Sequence, residues 1–424
     1  MPSIARILLT SAILLGILSL IEWGAWRNVN RMWAGHARLE QIRWGWRIVT
    51  LIQFVWTLIY FVRWPEWREF SPGWLLLTHA VLISLVVPKL FLCGVEMLEG
   101  IRYWGQWALT GSDHRADVPR RTFITVTGQA AAGVLFAAFA NGMTRGRHGY
   151  HVRRHEVPIA GLPDRLDGLR IVQISDAHLG SFLGQLEAVQ PGLDMIRSLD
   201  PDILCFTGDL VNDHSDEAEP WIERFKALEG RYGKFSILGN HDYADYSRRT
   251  DEEREAVRSR IRTIHREMGF DLLLDEHRVL EINGEKLLLA GVQNWGRGFR
   301  QSGDLDKALQ DTDAALPTVL LSHDPTHWED RVMGGKAPVE LTLSGHTHGM
   351  QVGLELPALG IKFSPSRLRY KRWGGLYTEG NQHLHVNRGF GMLGFPGRIG
   401  MPPEITELTL RKARVPSRSH SRQP

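Results

Sequence analysis

The sequence feature that most constrains the fold is a set of five short apolar runs, each followed at once by Asp, Asn or His. The runs are residues 169–174, 203–206, 235–238, 318–321 and 339–343. The polar segments after them are Asp176-Ala177-His178, Gly208-Asp209, Gly239-Asn240-His241-Asp242, Ser322-His323-Asp324 and Gly345-His346-Thr347-His348. Each run has the length and composition of a buried β-strand. Five strand ends that carry oxygen and imidazole ligands predict a metal site.

The last segment carries two histidines, His346 and His348, one residue apart. Residues two apart on an extended chain point to the same side, so we expect both imidazoles to enter one pocket. A lone His-x-His pair is equally compatible with an ordinary surface turn. The four upstream segments make a shared metal site the better interpretation.

The order of the five segments resembles the calcineurin-like metallophosphoesterase superfamily, and most of all its bacterial YkuE-type branch. The resemblance covers about residues 155–411 and extends to Arg388-Gly389-Phe390-Gly391 and to Pro402-Pro403-Glu404-Ile405. One departure is Met350, where Gly is usual. Because Met350 lies beside the ligands, we expect an altered pocket wall and an intact metal site.

The resemblance implies a metal-dependent phosphoric ester hydrolase that holds two divalent ions. It assigns Asp176, His178 and His348 to the first ion, Asp209 to a bridging role, and Asn240, His323 and His346 to the second ion. Neutral imidazoles suit Mn, Fe or Zn better than Mg, and the sequence leaves the native metal open. A hydroxide formed from a water between the ions is expected to attack phosphorus in line with the leaving oxygen.

Further polar residues are candidates for roles beside the ions. His241 follows a ligand without being one in the family, and we expect it to protonate the leaving group or to hold a phosphoryl oxygen. Asp242 is expected to orient His241, to support the ligands from behind, or to cap a turn. Arg388 is a candidate for binding the substrate phosphate, with a structural ion pair as the alternative. Asn212 and His327 are weaker candidates for the walls of the site.

Residues 1–143 are predicted to form an α-helical membrane region with about four transmembrane helices. The apolar stretches are residues 7–26, 48–62, 74–92 and 123–140. Their lengths are near those needed to span a bilayer, and tryptophans flank the second stretch as in an interfacial aromatic belt. A cleaved signal peptide at the first stretch and a soluble helical domain with a Trp-rich core are the alternatives.

Arginine is distributed unevenly between the loops that join these stretches. Five arginines lie between the first and second stretches and four between the third and fourth, against three on the opposite side. The positive-inside rule therefore predicts a multi-pass protein of the bacterial inner (cytoplasmic) membrane, with the catalytic domain on the outer, periplasmic or extracellular face. Arg120-Arg121 resembles a twin-arginine export signal placed internally, and simple anchoring charge explains the pair equally well.

The rest of the chain is predicted in three parts. Residues 144–154 are expected to be a linker, and residues 412–424 a disordered basic tail. Residues 155–411 alternate strands with helices, which predicts stacked α/β layers, and Asn283-Gly284 predicts a hairpin turn. The resemblance implies the full architecture, a four-layer α/β/β/α metallophosphoesterase sandwich.

These observations favour a membrane-anchored phosphoesterase that acts on a phosphodiester or a phosphomonoester. A pyrophosphate hydrolase of the UDP-2,3-diacylglucosamine type, acting on a lipid-linked substrate, is the first alternative. The second is a non-catalytic membrane sensor or scaffold with a retained fold, which predicts missing ligands. The net charge of +3 gives no reason to expect nucleic acid, and the sequence leaves the oligomeric state open.

Overall fold

The computed structural model describes residues 4–70, 72–111, 118–246 and 249–413. The chain divides into two compact units, Met1–Thr144 with Gly394–Gly397 and Arg145–Leu393 with Arg398–Pro424. The predicted disordered tail falls almost wholly on residues 414–424, which lie outside the described residues.

Four long helices make up most of the first unit. They are α1 (Ile4–Met32), α2 (Leu39–Phe70), α3 (Pro72–Thr110) and α4 (Val118–Thr144). Each is long and apolar enough to cross a membrane. The four predicted apolar stretches lie inside these helices, and the prediction of an N-terminal region of four long apolar helices is confirmed. The helices are longer than the stretches because helical backbone continues through the polar residues at their ends.

A buried polar cluster joins three of the four helices. Glu22 on α1 forms an ion pair with Lys89 on α3, and both side chains are almost fully buried. The Lys89 ammonium also donates to Gln53 Oε1 on α2 at 2.7 Å, and Thr50 Oγ1 donates to the second Glu22 oxygen at 2.9 Å. Because isolated charges are costly at membrane depth, this mutual satisfaction ties α1, α2 and α3 together.

The second unit contains two six-stranded sheets. The order in the first sheet is β1 (His151–Ile159), β14 (Glu404–Lys412), β2 (Arg170–Ile174), β3 (Ile203–Phe206), β4 (Lys234–Ser236) and β5 (Asp271–Leu272). The order in the second is β12 (Gly375–Glu379), β13 (Gln382–Val386), β9 (Leu341–Ser344), β8 (Thr318–Leu321), β7 (Glu285–Gly291) and β6 (Glu276–Ile282). A separate two-stranded ribbon pairs β10 (Leu354–Leu356) with β11 (Ile361–Phe363).

The apolar side chains of the strands alternate between two cores, which arranges the unit in four layers. Between the sheets lie Ile171, Cys205, Phe235, Leu289, Leu321 and Leu343. On the outer face of the first sheet, residues such as Leu204 and Phe206 pack against α5 (Gln190–Leu199), α6 (Ile222–Lys226) and α7 (Asp251–Glu267). On the outer face of the second, Ala290 and Leu320 pack near α8 (Leu305–Ala308) and Trp328. The predicted α/β fold class is confirmed.

Parallel pairing brings the ends of the central strands to one edge. Strands β2, β3 and β4 are parallel neighbours in one sheet, and β7, β8 and β9 are parallel neighbours in the other. The two sheets also touch there, because Gln173 Nε2 donates to Ser344 O at 2.8 Å. Gly345 is required at this contact, since a Cβ there would lie 1.9 Å from Ser175 Oγ. All five predicted polar segments therefore start from one edge of the sandwich.

Two boundaries differ from the sequence-based predictions. Strand β1 begins at His151, inside the segment predicted as a linker, because residues 151–159 pair in parallel with β14 along their whole length. The charged run of β1 has no apolar alternation that would have indicated a strand. The helical periodicity of residues 183–199 predicts a helix over that whole range, but the helix begins only at Gln190, where Pro191 occupies the first turn. The predicted Asn283-Gly284 hairpin is confirmed, with φ of 55° and 84° at the two turn residues.

We expect the core between the sheets to carry much of the stability of the second unit. Leu289→Ala should lower the free energy of unfolding by about 2–5 kcal/mol, because it removes buried methyl groups and leaves a cavity. Thermal unfolding of the full-length protein in detergent measures the effect. The matched control is Val279→Ala on β6, a position that is 45% exposed. An equal fall in unfolding temperature for both variants would contradict the assignment of this core.

Candidate metal centre

Two groups of side chains at the sheet edge have the composition of metal sites. The first is Asp176, His178 and His348, and the second is Asp209, His323 and His346. Within each group, one ligand atom from every residue lies within 4.8 Å of the others. The sequence-predicted ligands are thus brought together, and Asn240 joins the second group through its Oδ1, 2.8 Å from His346 Nδ1.

The ring nitrogens face one another in a way that fits cations. His178 Nε2 lies 3.1 Å from His348 Nε2, and His346 Nδ1 lies 3.3 Å from His323 Nε2. Asp176 Oδ1 is 3.2 Å from His348 Nε2. Imidazole nitrogens and carboxylate oxygens that converge on one point form a suitable donor set for a divalent transition-metal ion.

Asp209 lies between the two groups. Its Oδ2 atom is 3.5 Å from His178 Nε2 and 3.2 Å from His323 Nε2. Its other oxygen, Oδ1, accepts a hydrogen bond from the His241 backbone N–H at 2.8 Å. One carboxylate therefore faces histidines from both groups, which is the geometry required of a bridging ligand.

The opposite nitrogens of three histidines are held by neighbouring groups. His178 Nδ1 contacts Asn212 Oδ1 at 3.0 Å, and His323 Nδ1 contacts Thr207 O at 2.7 Å. His346 Nε2 contacts the Tyr370 hydroxyl at 2.8 Å. Such outer contacts fix ring orientation and tautomer in metal sites. Asn212, a weak candidate from the sequence, acts here as a support for His178.

The backbone is strained at the candidate ligands. Asp176, His178, Asp209, His346 and His348 have φ between 41° and 72°, the left-handed region that residues with a Cβ rarely adopt. Strain of this kind concentrates at functional sites, where the surrounding structure enforces it. The shared conformation turns each side chain inward directly after its strand.

Electrostatics favour an ionised Asp209. Burial opposes its charge, but His323 and His241 outweigh burial and hold the pKa of this carboxyl well below its usual range. Burial likewise opposes the charge on His323, and the Asp209 carboxylate nevertheless raises its pKa to about 10. Burial and the charge of Asp209 raise the pKa of Asp242 to about 7. The centre therefore concentrates negative charge on the residue that faces both groups.

His241 faces the pocket above the metal centre. Its Nδ1 donates to the Asn212 carbonyl oxygen at 2.6 Å, which leaves Nε2 for the pocket. Its ring lies 4.6 Å from that of Tyr246, centroid to centroid, and Tyr246 also accepts a hydrogen bond from Asn240 Nδ2 at 2.9 Å. In the tautomer that this contact selects, Nε2 accepts a proton, and it becomes a donor when the ring is protonated.

The structure does not support a role for Asp242 in orienting the His241 side chain. Its carboxylate accepts hydrogen bonds from the backbone N–H groups of Asp209, Leu210 and Gly239 at 2.8–2.9 Å. Asp242 thus ties the loop after β3 to the loop after β4, and it supports the metal centre from behind. The carboxylate is therefore occupied by backbone donors from both loops.

Arg388 is wrongly predicted as a substrate-binding residue. It is 2% exposed and pairs with Glu404 Oε2 at 2.5 Å and with Glu355 Oε1 at 2.6 Å. Burial would raise the pKa of Glu404, but Arg388 outweighs burial and the pKa is about 2. The buried Glu404 and the half-buried Glu355 thus occupy the guanidinium, and the alternative of a structural ion pair is correct. His327 is also buried and bonds to Ser322, away from any wall of the pocket.

The pocket over the metal centre has a volume of about 310 Å³. Its wall contains Asp209, Asn240, His241, Phe299, His346, Thr347, His348, Met350, Ser366, Arg369, Tyr370 and Leu393. Among the described residues of this wall, Arg369 is the only lysine or arginine, and its guanidinium lies 5.0 Å from the Phe299 ring. Sequence analysis missed Phe299, Arg369 and Tyr370 because they follow no motif. Met350 forms part of the wall, as its departure from the family pattern predicts.

Comparison with known proteins assigns both parts of the chain. Residues 169–350 match the family of calcineurin-like phosphoesterases, and residues 5–147 match the probable calcineurin-like phosphoesterase transmembrane domain. The uncharacterised metallophosphoesterase YkuE of Bacillus subtilis is 32% identical over 69% of this chain and 97% of its own length. The chain belongs to the calcineurin-like phosphoesterase family.

The names of two further relatives mention a transmembrane protein and a lipid substrate. A transmembrane protein with a metallophosphoesterase domain from Danio rerio is 30% identical over 61% of this chain and 56% of its own. The UDP-2,3-diacylglucosamine pyrophosphatase LpxG of Chlamydia trachomatis is 31% identical over 57% of this chain and 83% of its own. With its four apolar helices, the protein is a membrane-associated metallophosphoesterase and a hydrolase. The sensor alternative, which predicts missing ligands, has no support.

We expect Arg388 to act on stability rather than on substrate affinity. Arg388→Met leaves Glu404 and Glu355 without their cation, and it should lower the free energy of unfolding by about 3–5 kcal/mol. Thermal unfolding and the KM for bis-p-nitrophenyl phosphate measure the two effects separately. Arg388→Met combined with Glu404→Gln should recover part of the loss. A raised KM at unchanged unfolding temperature would instead restore the substrate-binding role.

Proposed function

We propose that this protein hydrolyses a phosphoester with a two-metal centre. Asp176, His178 and His348 would hold one ion, Asn240, His323 and His346 the other, and Asp209 would bridge them. The observation that carries the proposal is the position of Asp209 Oδ2, which faces one histidine of each group. A single ion would not require a carboxylate shared between two histidine groups.

The donor set favours Mn, Zn or Fe over Mg, because four of the seven donors are imidazoles. Two such ions, when bound, would supply a nucleophile from water at neutral pH and offset charge on the phosphoryl oxygens. The protein's own contribution is geometric. Asn212, Thr207 and Tyr370 hold the histidines from outside, so the donor atoms are oriented before substrate arrives.

His241 and Arg369 would act on the substrate itself. The Asn212 carbonyl accepts the Nδ1 proton of His241, so Nε2 of the protonated ring would give a proton to the leaving oxygen or hold a phosphoryl oxygen. Arg369 is the guanidinium of the pocket wall and would bind a phosphoryl oxygen from the other side. Hydrolysis then breaks the bond between phosphorus and the leaving oxygen, and water supplies the new oxygen on phosphorus.

A lipid-linked substrate is the form of this function that we favour. The LpxG relatives are named for a pyrophosphatase of a diacylated sugar nucleotide, and a membrane-associated enzyme meets lipid substrates at its own surface. A UDP-2,3-diacylglucosamine-type pyrophosphate is the second candidate, after a lipid phosphodiester or phosphomonoester that carries no nucleotide. Both reactions use the same centre and differ in the leaving group.

We further propose that the protein lies in the bacterial inner membrane, with the catalytic domain on the outer face. The arginines around the junction of α1 and α2 and at the start of α4 support this orientation through the positive-inside rule. A cytoplasmic nucleotide-linked lipid would be out of reach in this orientation. The side of the membrane therefore separates the two substrate candidates.

We expect the bridging and acid–base roles to separate in two variants. Asp209→Asn should abolish turnover of bis-p-nitrophenyl phosphate and reduce the metal content of the purified protein. His241→Ala should keep two metals per chain and lower kcat by about 10²–10⁴-fold, because it removes a proton donor only. Elemental analysis and steady-state kinetics on the full-length protein give both readouts.

The matched control for these variants is His151→Ala, at an exposed position on β1. It should leave metal content and kcat unchanged. Loss of metal in His241→Ala would make His241 a ligand, and undiminished turnover in Asp209→Asn would remove the two-metal mechanism.

Reporter fusions test the orientation. Alkaline phosphatase fused after Pro424 should be active, and the same reporter fused after Gly35, between α1 and α2, should be inactive. The reverse pattern would place the catalytic domain in the cytoplasm and favour the nucleotide-linked lipid. Equal activity at both sites would contradict the three spans that separate them.

A further inference from the structure

Exposed apolar side chains of the second unit are concentrated in one segment. Among the described residues of this unit, nine large apolar side chains are exposed. Seven of them lie within residues 350–368: Met350, Leu354, Leu356, Leu359, Ile361, Phe363 and Leu368. We name residues 350–368 the apolar lip. Single exposed apolar residues are ordinary on a protein surface, but a cluster of this kind marks a binding site.

The ribbon of β10 and β11 gives the lip a defined apolar face. Leu354 is paired with Phe363, and Leu356 with Ile361, in antiparallel register. Residues two apart on a strand share a face, and directly paired residues lie on the same face. These four apolar side chains therefore stand together on one side of the ribbon.

The charged residues of the ribbon turn towards the protein. Glu355, between the two leucines of β10, bonds to Arg388 and to Arg153, each at 2.6 Å. Lys362, between the two apolar residues of β11, donates to Gly374 O at 2.5 Å and lies 5.1 Å from the Trp373 ring. The ribbon is thus fixed to the domain through its charges.

This arrangement is the reverse of an ordinary surface hairpin, which turns its apolar face to the core and its polar face to water. Glu355 and Arg388 are anchored by an ion pair that also includes Glu404. Rotation of the ribbon to hide its apolar face would break that anchor. These contacts therefore keep the apolar face of the ribbon exposed. An apolar partner would remove that face from water.

The lip is continuous with the metal pocket at both ends. Met350 follows His348 by two residues and lines the pocket. At the other end, Ser366, Arg369 and Tyr370 line the same pocket, and the Tyr370 hydroxyl contacts His346 Nε2 at 2.8 Å. A molecule with its phosphate between the metal ligands and Arg369 would meet the lip as soon as it left the pocket.

The pocket is too small for a whole lipid. Its volume of about 310 Å³ lies at the lower end of the range for small-molecule sites, about 300–1,000 Å³. A phosphoryl group with its immediate substituents fits such a space, and long acyl chains do not. Chains attached to a bound phosphate must therefore run along the surface outside.

We propose that the apolar lip binds the acyl or alkyl chains of a lipid phosphoester whose phosphate occupies the metal pocket. This inference rests on the proposed phosphoesterase function and names its substrate class. Three observations favour a lipid over other apolar partners: the chain carries four helices long enough to span a membrane, the lip begins in the pocket wall, and Arg369 supplies a cation where phosphate and chain would join.

The test compares two phosphodiesters with the same leaving group. p-Nitrophenyl octyl phosphate and p-nitrophenyl methyl phosphate both yield p-nitrophenol and an alkyl phosphate, and they differ only in chain length. With the full-length protein in a fixed detergent, kcat/KM should be at least about tenfold higher for the octyl ester, because burial of two methylenes already corresponds to about tenfold. The triple variant Leu354→Ser, Leu356→Ser, Phe363→Ser should bring this ratio close to one.

One further variant is a control for folding and detergent, and a second tests the part of the lip that lines the pocket. Val279→Ser removes an exposed apolar side chain on β6, outside the lip. It should leave the ratio of the two kcat/KM values, octyl over methyl, unchanged. Met350→Gly suits the left-handed backbone at that position, where φ is 46°, so it should fold normally and lower the ratio part of the way. Because detergent takes up the octyl chain equally for every variant, differences between variants report on the protein.

Binding without turnover separates this inference from the proposed function. Calorimetry with octylphosphonate and methylphosphonate should show the same chain-length preference and the same loss in the triple variant. Neither ester is hydrolysed if the proposed function is wrong. If octylphosphonate then still binds more tightly than methylphosphonate, and the triple variant loses this preference, the lip is a chain-binding site. If the esters are hydrolysed with a ratio near one, or if the triple variant keeps the preference, the lip inference is wrong. A triple variant that changes only the oligomeric state would identify the lip as a contact between two copies of this chain.

Discussion

The metal centre depends on one carboxylate that faces donors from both sheets. Asp209 follows β3 in the first sheet, and its Oδ2 atom lies near His178, from the same sheet, and near His323, which follows β8 in the second. Four imidazoles and three carboxylate or amide groups crowd this edge, and their converging donor atoms would suit divalent cations. Metal binding and folding of the sheet edge are therefore coupled, because ions would bind the folded arrangement and not the unfolded chain.

The backbone conformation of the ligands also costs free energy in the folded protein. Five of the seven candidate ligands adopt left-handed backbone, and each such residue costs of order 1–3 kcal/mol. Asp242 counters some of this cost, because its buried carboxylate accepts hydrogen bonds from four backbone N–H groups of two loops. Hydrogen bonds to Asp242 thus stabilise the loops behind the centre, and bound metal ions would stabilise the ligands that face the pocket.

The candidate metal ligands could be predicted from the sequence, whereas the residues around them could not, for physical reasons. Strand ends are readable because an apolar run followed by Asp, Asn or His is a local pattern, and parallel pairing then brings such ends together. Arg388 was misread because its partners, Glu355 and Glu404, come from strands whose register no local pattern gives. Phe299, Arg369 and Tyr370 reach the pocket from irregular loops. The lip did leave a signal, since Leu354-Glu355-Leu356 and Ile361-Lys362-Phe363 alternate as strands, but sequence alone cannot tell which face of a strand meets water.

The ion pair within the helical unit has a consequence for how this protein is made. Glu22 and Lys89 are separated by 67 residues, and Glu22 is synthesised first. A charged side chain near the middle of an inserted helix costs about 2.5–3.5 kcal/mol on insertion scales. Until α3 emerges, α1 therefore holds an unmatched carboxylate, and its stable placement in the bilayer waits for Lys89 and for Gln53 on α2. Stable insertion of α1 is then cooperative with that of α2 and α3, and a chain cut before α3 leaves Glu22 without its cation.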